Sequence, residues 1–223
     1  LSARILVEDE DRWQLVGDLT MPGGMTYEWV EGVGLVTGLD NTGSDPPPSP
    51  QRDALVDEME THETSRPQSL LASPATSLVR VRGFLPPGVQ KGDRIDIEVT
   101  LPDRSETTSL RGGWLMQARL RQLAMLNNSV RKGNIDALAS GHVLVDAVFD
   151  ETDDTSAEVH GRVLGGGVAL TSRKLGLILR EEEASVRAST MIAAAINNRF
   201  HHYDRGTKLG VARPMNSHFI ELA

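Results

Sequence analysis

Residues 94–101 read Arg94-Ile95-Asp96-Ile97-Glu98-Val99-Thr100-Leu101. Apolar side chains at every second position alternate with charged and hydroxyl ones, which is the period of a strand with one face on a core and the other in water. Just upstream, Leu78, Arg80, Arg82 and Phe84 alternate with Val79, Val81 and Gly83, predicting a second strand over 77–84. Pro86-Pro87-Gly88 between them is a turn by composition. Short strands are also predicted at 5–7, 27–30, 35–36, 143–149, 175–179, 209–212 and 219–222.

Helical signals are fewer. Ser49 is a suitable N-cap and Pro50 fits the first helical position. The helix they start presents Leu55, Val56 and Met59 on one face and is expected to stop before Arg66-Pro67. Glu181-Glu182-Glu183 is read as the first turn of a second helix, where the dipole favours acidic charge. Its buried stripe is Ala184, Ala188, Met191, Ile192, Ala195 and Ile196. Residues 114–126 have a helical composition, but Leu115, Leu120, Leu123 and Leu126 fit one face only loosely. Met21-Pro22-Gly23-Gly24 and Gly165-Gly166-Gly167 read as turns. These signals give an α+β class: a mixed or antiparallel sheet domain with few helices over 1–149, an acidic loop or linker at 150–160, and a small β-α-β-β module over 161–223.

The bulk properties narrow the function. At 223 residues with 39% hydrophobic and only 4% aromatic content, the core is built from Leu, Val, Ile and Ala. A formal charge of −8, with scattered basic residues, argues against a nucleic-acid partner. The chain has no cysteine, which excludes disulfides, thiol nucleophiles and zinc–thiolate sites. No stretch approaches the ~20 apolar residues of a membrane-spanning helix. The first residue is Leu1 rather than Met, so the chain is expected to be a segment from which any signal peptide has gone.

Glycine punctuates the sequence without assembling a reaction centre. Gly32-Val33-Gly34-Leu35-Val36-Thr37-Gly38 has dinucleotide-like spacing, but Asp40-Asn41-Thr42-Gly43 and the prolines at 46–48 deny it the helix such a site needs. His201 and His202 are adjacent and so diverge, which makes a metal pair improbable. Asp96 and Asp103 read as solvated carboxylates. Trp29 and Trp114 read first as core anchors and second as platforms for sugars. No catalytic residue, cofactor or metal ligand is assigned. The residues singled out define turns or contacts between subunits: Gly34, Gly38, Gly43, Pro86, Pro87, Arg111, Gly112 and Gly113. Arg111 either satisfies carbonyls of its own fold or grips a carboxylate of a neighbour.

Several segments, in order, resemble the flagellar P-ring protein family. They are residues 34–43, the helix at 49–60, the strand at 77–83, Leu85-Pro86-Pro87-Gly88, 94–99 and Ser109-Leu110-Arg111-Gly112-Gly113. Leu138-Ala139-Ser140-Gly141 and residues 177–197 are similar to later blocks of that family. The family's Gly/Thr-rich stretch is replaced here by the Arg-rich 114–132, and its C-terminal portion has no counterpart, as in a cut or shortened relative. The resemblance implies a strand at 114–117. It also implies an exported, periplasmic structural subunit that forms a homo-oligomeric ring around the flagellar rod, at the peptidoglycan and beneath an outer-ring lipoprotein. The alternative is a module that binds peptidoglycan or an envelope protein without forming a ring. A carboxylate hydrolase built on Asp96 or Asp103 ranks last.

Overall fold

The computed structural model describes residues 4–5, 14–61, 64–126, 129–145 and 158–222. The strands are β1 (Arg4–Ile5), β2 (Gln14–Leu15), β3 (Thr20–Gly23), β4 (Glu28–Thr37), β5 (Thr76–Leu85), β6 (Arg94–Thr100), β7 (Trp114–Leu126) and β8 (Ser129–His142). They continue with β9 (Leu144–Val145), β10 (His160–Ala169), β11 (Leu175–Leu179), β12 (His201–Asp204), β13 (Thr207–Gly210), β14 (Ala212–Pro214) and β15 (Phe219–Leu222). The α-helices are α1 (Val16–Leu19), α2 (Pro50–Thr61), α3 (Pro67–Leu71) and α4 (Val186–Arg199). Antiparallel strands with few helices make the class α+β. Among the described residues, no helix is long and apolar enough to cross a membrane.

Packing divides the chain into two compact units. One comprises Tyr27–Leu85 and Val89–Ser172; the other comprises Leu1–Thr26, Pro86–Gly88 and Arg173–Ala223.

In the first unit the strands run in the order β6-β5-β4-β7-β8-β10, every pair antiparallel, and β6 also pairs with β10. The sheet therefore closes on itself as a six-strand barrel, with β9 added along β10. Closure leaves these strands without a free edge. The alternation in 94–101 is realised as read: Ile95, Ile97 and Val99 point inward, while Asp96 and Glu98 are exposed. The interior is filled by aliphatic side chains such as Val30, Val81, Ile97, Leu115 and Leu120. A small barrel cannot hold a large residue at every inward position. Gly83 and Gly167 give way to Ile95 and Ile97, and Gly34 gives way to Leu115 and Val81. On the outside, α2 and α3 cover one end of β4 and β5 and build a second small core from Leu35, Leu55, Met59, Leu71 and Leu78.

In the second unit a four-strand antiparallel sheet, β14-β15-β11-β3, receives α4. Ile192, Ala193 and Ile196 of the helix pack with Leu19, Leu179, Ala212 and Ile220. β12 and β13 form a hairpin whose turn residues Arg205 and Gly206 both have positive φ, as a tight two-residue hairpin turn requires.

Several sequence expectations are corrected. Residues 114–126 are strand along their whole length, not only at 114–117. Gly165-Gly166-Gly167 lies inside β10 as a bulge, where the register shifts between Val163 and Gly167, and is not a turn between strands. Met21-Pro22-Gly23 belongs to β3. The chain beyond α2 contains another short helix, α3, which starts at Pro67 rather than merely ending something there. Glu181–Glu183 forms its own 3-10 turn. α4 starts after it, capped by Ser185, whose hydroxyl accepts from the Ala188 N–H. Residues 209–212 divide between β13 and β14. Of the strands expected at 5–7 and 143–149, Ile5 and Leu144–Val145 are strand; residues 6–7 and 146–149 lie outside the described residues, as does most of the segment read as a linker.

Candidate functional site

The loops carrying Gly38, Gly43, Gly112 and Gly113 come together at one end of the barrel, and Gly34 lies on β4 leading into them. The Thr42 hydroxyl donates to the Ser109 carbonyl at 2.7 Å, and the Thr108 N–H donates to the Thr42 carbonyl at 3.0 Å. The Thr107 hydroxyl lies 3.0 Å from that of Ser44 and 2.8 Å from that of Ser77. Gly43 donates its N–H to the Pro74 carbonyl at 2.8 Å, and a Cβ on it would overlap the Thr76 carbonyl. The Gly113 carbonyl accepts from Val143 at 2.9 Å, and a Cβ on Gly113 would run into Val36. Gly38 and Gly112 have φ of 76° and 73°, with open space around them.

Arg111 is held at the tip of this laced corner. Its N–H donates to the Ser109 hydroxyl at 3.1 Å, its side chain is 74% exposed, and its guanidinium is 3.9 Å from Glu158. Pro86 and Pro87 belong to the other compact unit.

A second feature was not anticipated. Outside the barrel, α2 leans over β4 and borders an open cleft of about 440 Å³ lined by Glu31, Gln51, Glu58, Arg80, Arg119 and Arg121, among others. Arg119 pairs with Glu58 at 3.0 Å. Arg121 donates to the Gly133 carbonyl at 3.1 Å, and Arg80 lies 3.5 Å from the Thr100 hydroxyl. Among the described residues neither Arg80 nor Arg121 has a carboxylate within ion-pair distance. The signal for this cleft is present in the sequence. Arg80 and Arg82, like Arg119 and Arg121, are two apart on strands and so share a face.

The same outer surface carries an aromatic ledge, which corrects the reading of Trp29 as a core anchor. Trp29 is 54% exposed, its ring centroid 3.8 Å from that of Phe84, and Tyr27 meets Phe84 edge-on at 6.5 Å. The Arg82 guanidinium lies 5.8 Å from the Trp29 centroid and is fixed there by Glu31 at 2.9 Å. Trp114 is also exposed, edge-on to His142.

The remaining candidates are accounted for locally. Asp96 accepts the Gly165 N–H at 2.7 Å and braces the β10 bulge; Asp103 sits in an exposed turn. His201 and His202 occupy successive positions of β12, and among the described residues no cluster of three His, Asp or Glu could hold a metal ion.

Comparison with known proteins converges on one family. The family profile described as Flagellar P-ring protein matches residues 16–223. A Flagellar P-ring protein of Methylobacillus flagellatus is 28% identical over 236 aligned positions, covering 100% of this chain and 59% of the relative. One from Chromohalobacter salexigens is 28% identical, covering 83% and 51%. One from Escherichia coli is 28% identical, covering 92% and 56%. The chain thus spans between about half and three-fifths of the length of these relatives.

Proposed function

Because the chain belongs to the flagellar P-ring protein family, we propose that it is a non-catalytic structural subunit of the flagellar basal body. In this reading it acts in the periplasm, where copies associate head-to-tail into a ring around the rod. The observation that carries the proposal is the family match along residues 16–223, which takes in both compact units. The geometry is suited to the task. The closed barrel has no strand edge open to uncontrolled pairing, so the contacts that this unit makes fall to loops and side chains. The corner bearing Arg111 is fixed by hydrogen bonds from three directions and so loses little freedom on meeting a neighbour. Pro86 and Pro87 form a stiff turn that serves in the same way. Rod, peptidoglycan and outer-ring lipoprotein are the partners this reading names.

Expressing the natural full-length gene product in a flagellated host that lacks its own P-ring protein tests this. Motility and a ring visible by electron microscopy in purified basal bodies are expected. Export without any basal-body association would count decisively against it.

A second reading has its own observation. The ledge of Tyr27, Trp29 and Phe84 offers flat apolar faces, which suit stacking on the sugar rings of a glycan such as peptidoglycan. Co-sedimentation with purified cell wall that is lost on Trp29→Ala, in a chain that forms no ring, would favour a wall-binding module.

A further inference from the structure

We propose that the arginine cleft is a socket for the acidic turn Glu181–Glu183 of a second copy of this chain. The inference rests on the ring reading and names one contact within it. A carboxylate-binding socket needs cations that are not already neutralised. Arg80 and Arg121 meet that need: each faces the cleft, their contacts are a hydroxyl and a backbone carbonyl, and the two carboxylates of the lining, Glu31 and Glu58, are paired with Arg82 and Arg119. The guanidinium fork is suited to bidentate capture of a carboxylate. Arg119, engaged with Glu58, is the wall between them and α2. The first turn of α2, represented by Gln51, adds the positive end of a helix dipole.

The occupant is argued from charge. A chain of net charge −8 repels its own copies on average. Self-association is therefore favoured where unneutralised basic surface meets acidic surface. Glu181, Glu182 and Glu183 are three consecutive exposed carboxylates in a 3-10 turn. Among the described residues none of them has a cationic partner. Socket and plug are different surfaces of one chain, so their union is heterologous and propagates from copy to copy, as a ring requires.

The test is sedimentation velocity on three forms of the full chain at low salt: wild type, R80E/R121E, and E181R/E182R/E183R. Wild type is expected to self-associate, less so as salt is raised. Each swapped chain alone should associate about tenfold more weakly or worse, and an equimolar mixture of the two should recover association. Thermal unfolding of each form checks folding. If R80E/R121E misfolds, E181R/E182R/E183R, altered only at exposed side chains, still decides: association equal to wild type overturns the contact. Swapped chains that associate like wild type, or a mixture that fails to recover, overturn the socket and leave the ring reading standing. A wild-type chain that stays monomeric at every concentration overturns the socket, whereas failure of the ring reading shows instead as absence from purified basal bodies.

Discussion

At the scale of single residues, neighbouring glycines make opposite demands. Gly112 needs its backbone: φ is 73° and nothing lies within 4 Å of a Cβ. Gly113 needs its missing side chain, because a Cβ would overlap Val36 and press on Leu39 and the Leu110 carbonyl. Gly112→Ala is therefore expected to cost about 1–2 kcal/mol of backbone strain, and Gly113→Ala about 2–3 kcal/mol of overpacking. Chemical denaturation of the two variants should rank them in that order; the reverse order would mean the corner relaxes around a methyl group. Arg111 supplies the contrast. Exposed and 3.9 Å from Glu158, it contributes little to stability. Arg111→Ala is expected to leave the unfolding midpoint within about 0.5 kcal/mol of wild type. If the ring reading holds, the same variant weakens association, which separates a contact residue from a structural one.

At the scale of elements, one side chain joins α4 to β14 by hydrogen bonds in addition to their shared core. The Asn197 amide donates to the Ala212 carbonyl and accepts from the Ala212 N–H, both at 2.7 Å. Asn197→Ala leaves two backbone groups of a buried residue unpaired, and a loss of about 2–4 kcal/mol is expected in thermal or urea unfolding. A loss below about 1 kcal/mol would show that water replaces the amide at no great cost. The elements also explain what could be read from sequence. Residues 94–101 keep strict alternation because β6 pairs with β5 without a slip, so its period survives in the sequence. β7 does not keep it. Its register with β8 shifts between Leu115 and Ala118, between Leu120 and Arg121, and again before Leu123. The first shift places an extra residue in β7 and breaks its two-residue period, while the other two place theirs in β8; the resulting apolar spacings imitate a helix, and the helical propensity of Leu, Met, Gln and Arg reinforces the imitation. Pairing with β4 and β8 overrides that propensity. The glycines of β10 mislead for the same reason: a bulge and a turn ask for the same residue. The cleft went unread because Arg80 is nearly forty residues from Arg119. Shared faces are visible along one strand, but which strands become neighbours is a property of the closed sheet.

At the scale of the whole molecule, chain order and packing diverge. β3, near the start of the chain, forms the edge of the sheet completed by β11, β15 and β14 near its end, and it pairs with β11 from Gly23↔Gly176 to Thr20↔Leu179. Leu19 adds a buried side chain to the core beneath α4. Removing residues 1–26 would strip one edge of β11 and open a cavity where Leu19 lay, a change worth about 2–5 kcal/mol from the side chain alone. What remains of that unit is roughly fifty residues, a size at which a single core is marginal. The barrel keeps all six of its strands, since none is drawn from 1–26. Amide hydrogen exchange on the truncated chain is therefore expected to show β11, β15 and α4 losing protection while β4 to β8 retain theirs. Equal protection across α4 in both forms would mean that β14, β15 and β11 hold the helix without the N-terminal strand. Loss of protection throughout would mean that the barrel depends on the second unit to fold.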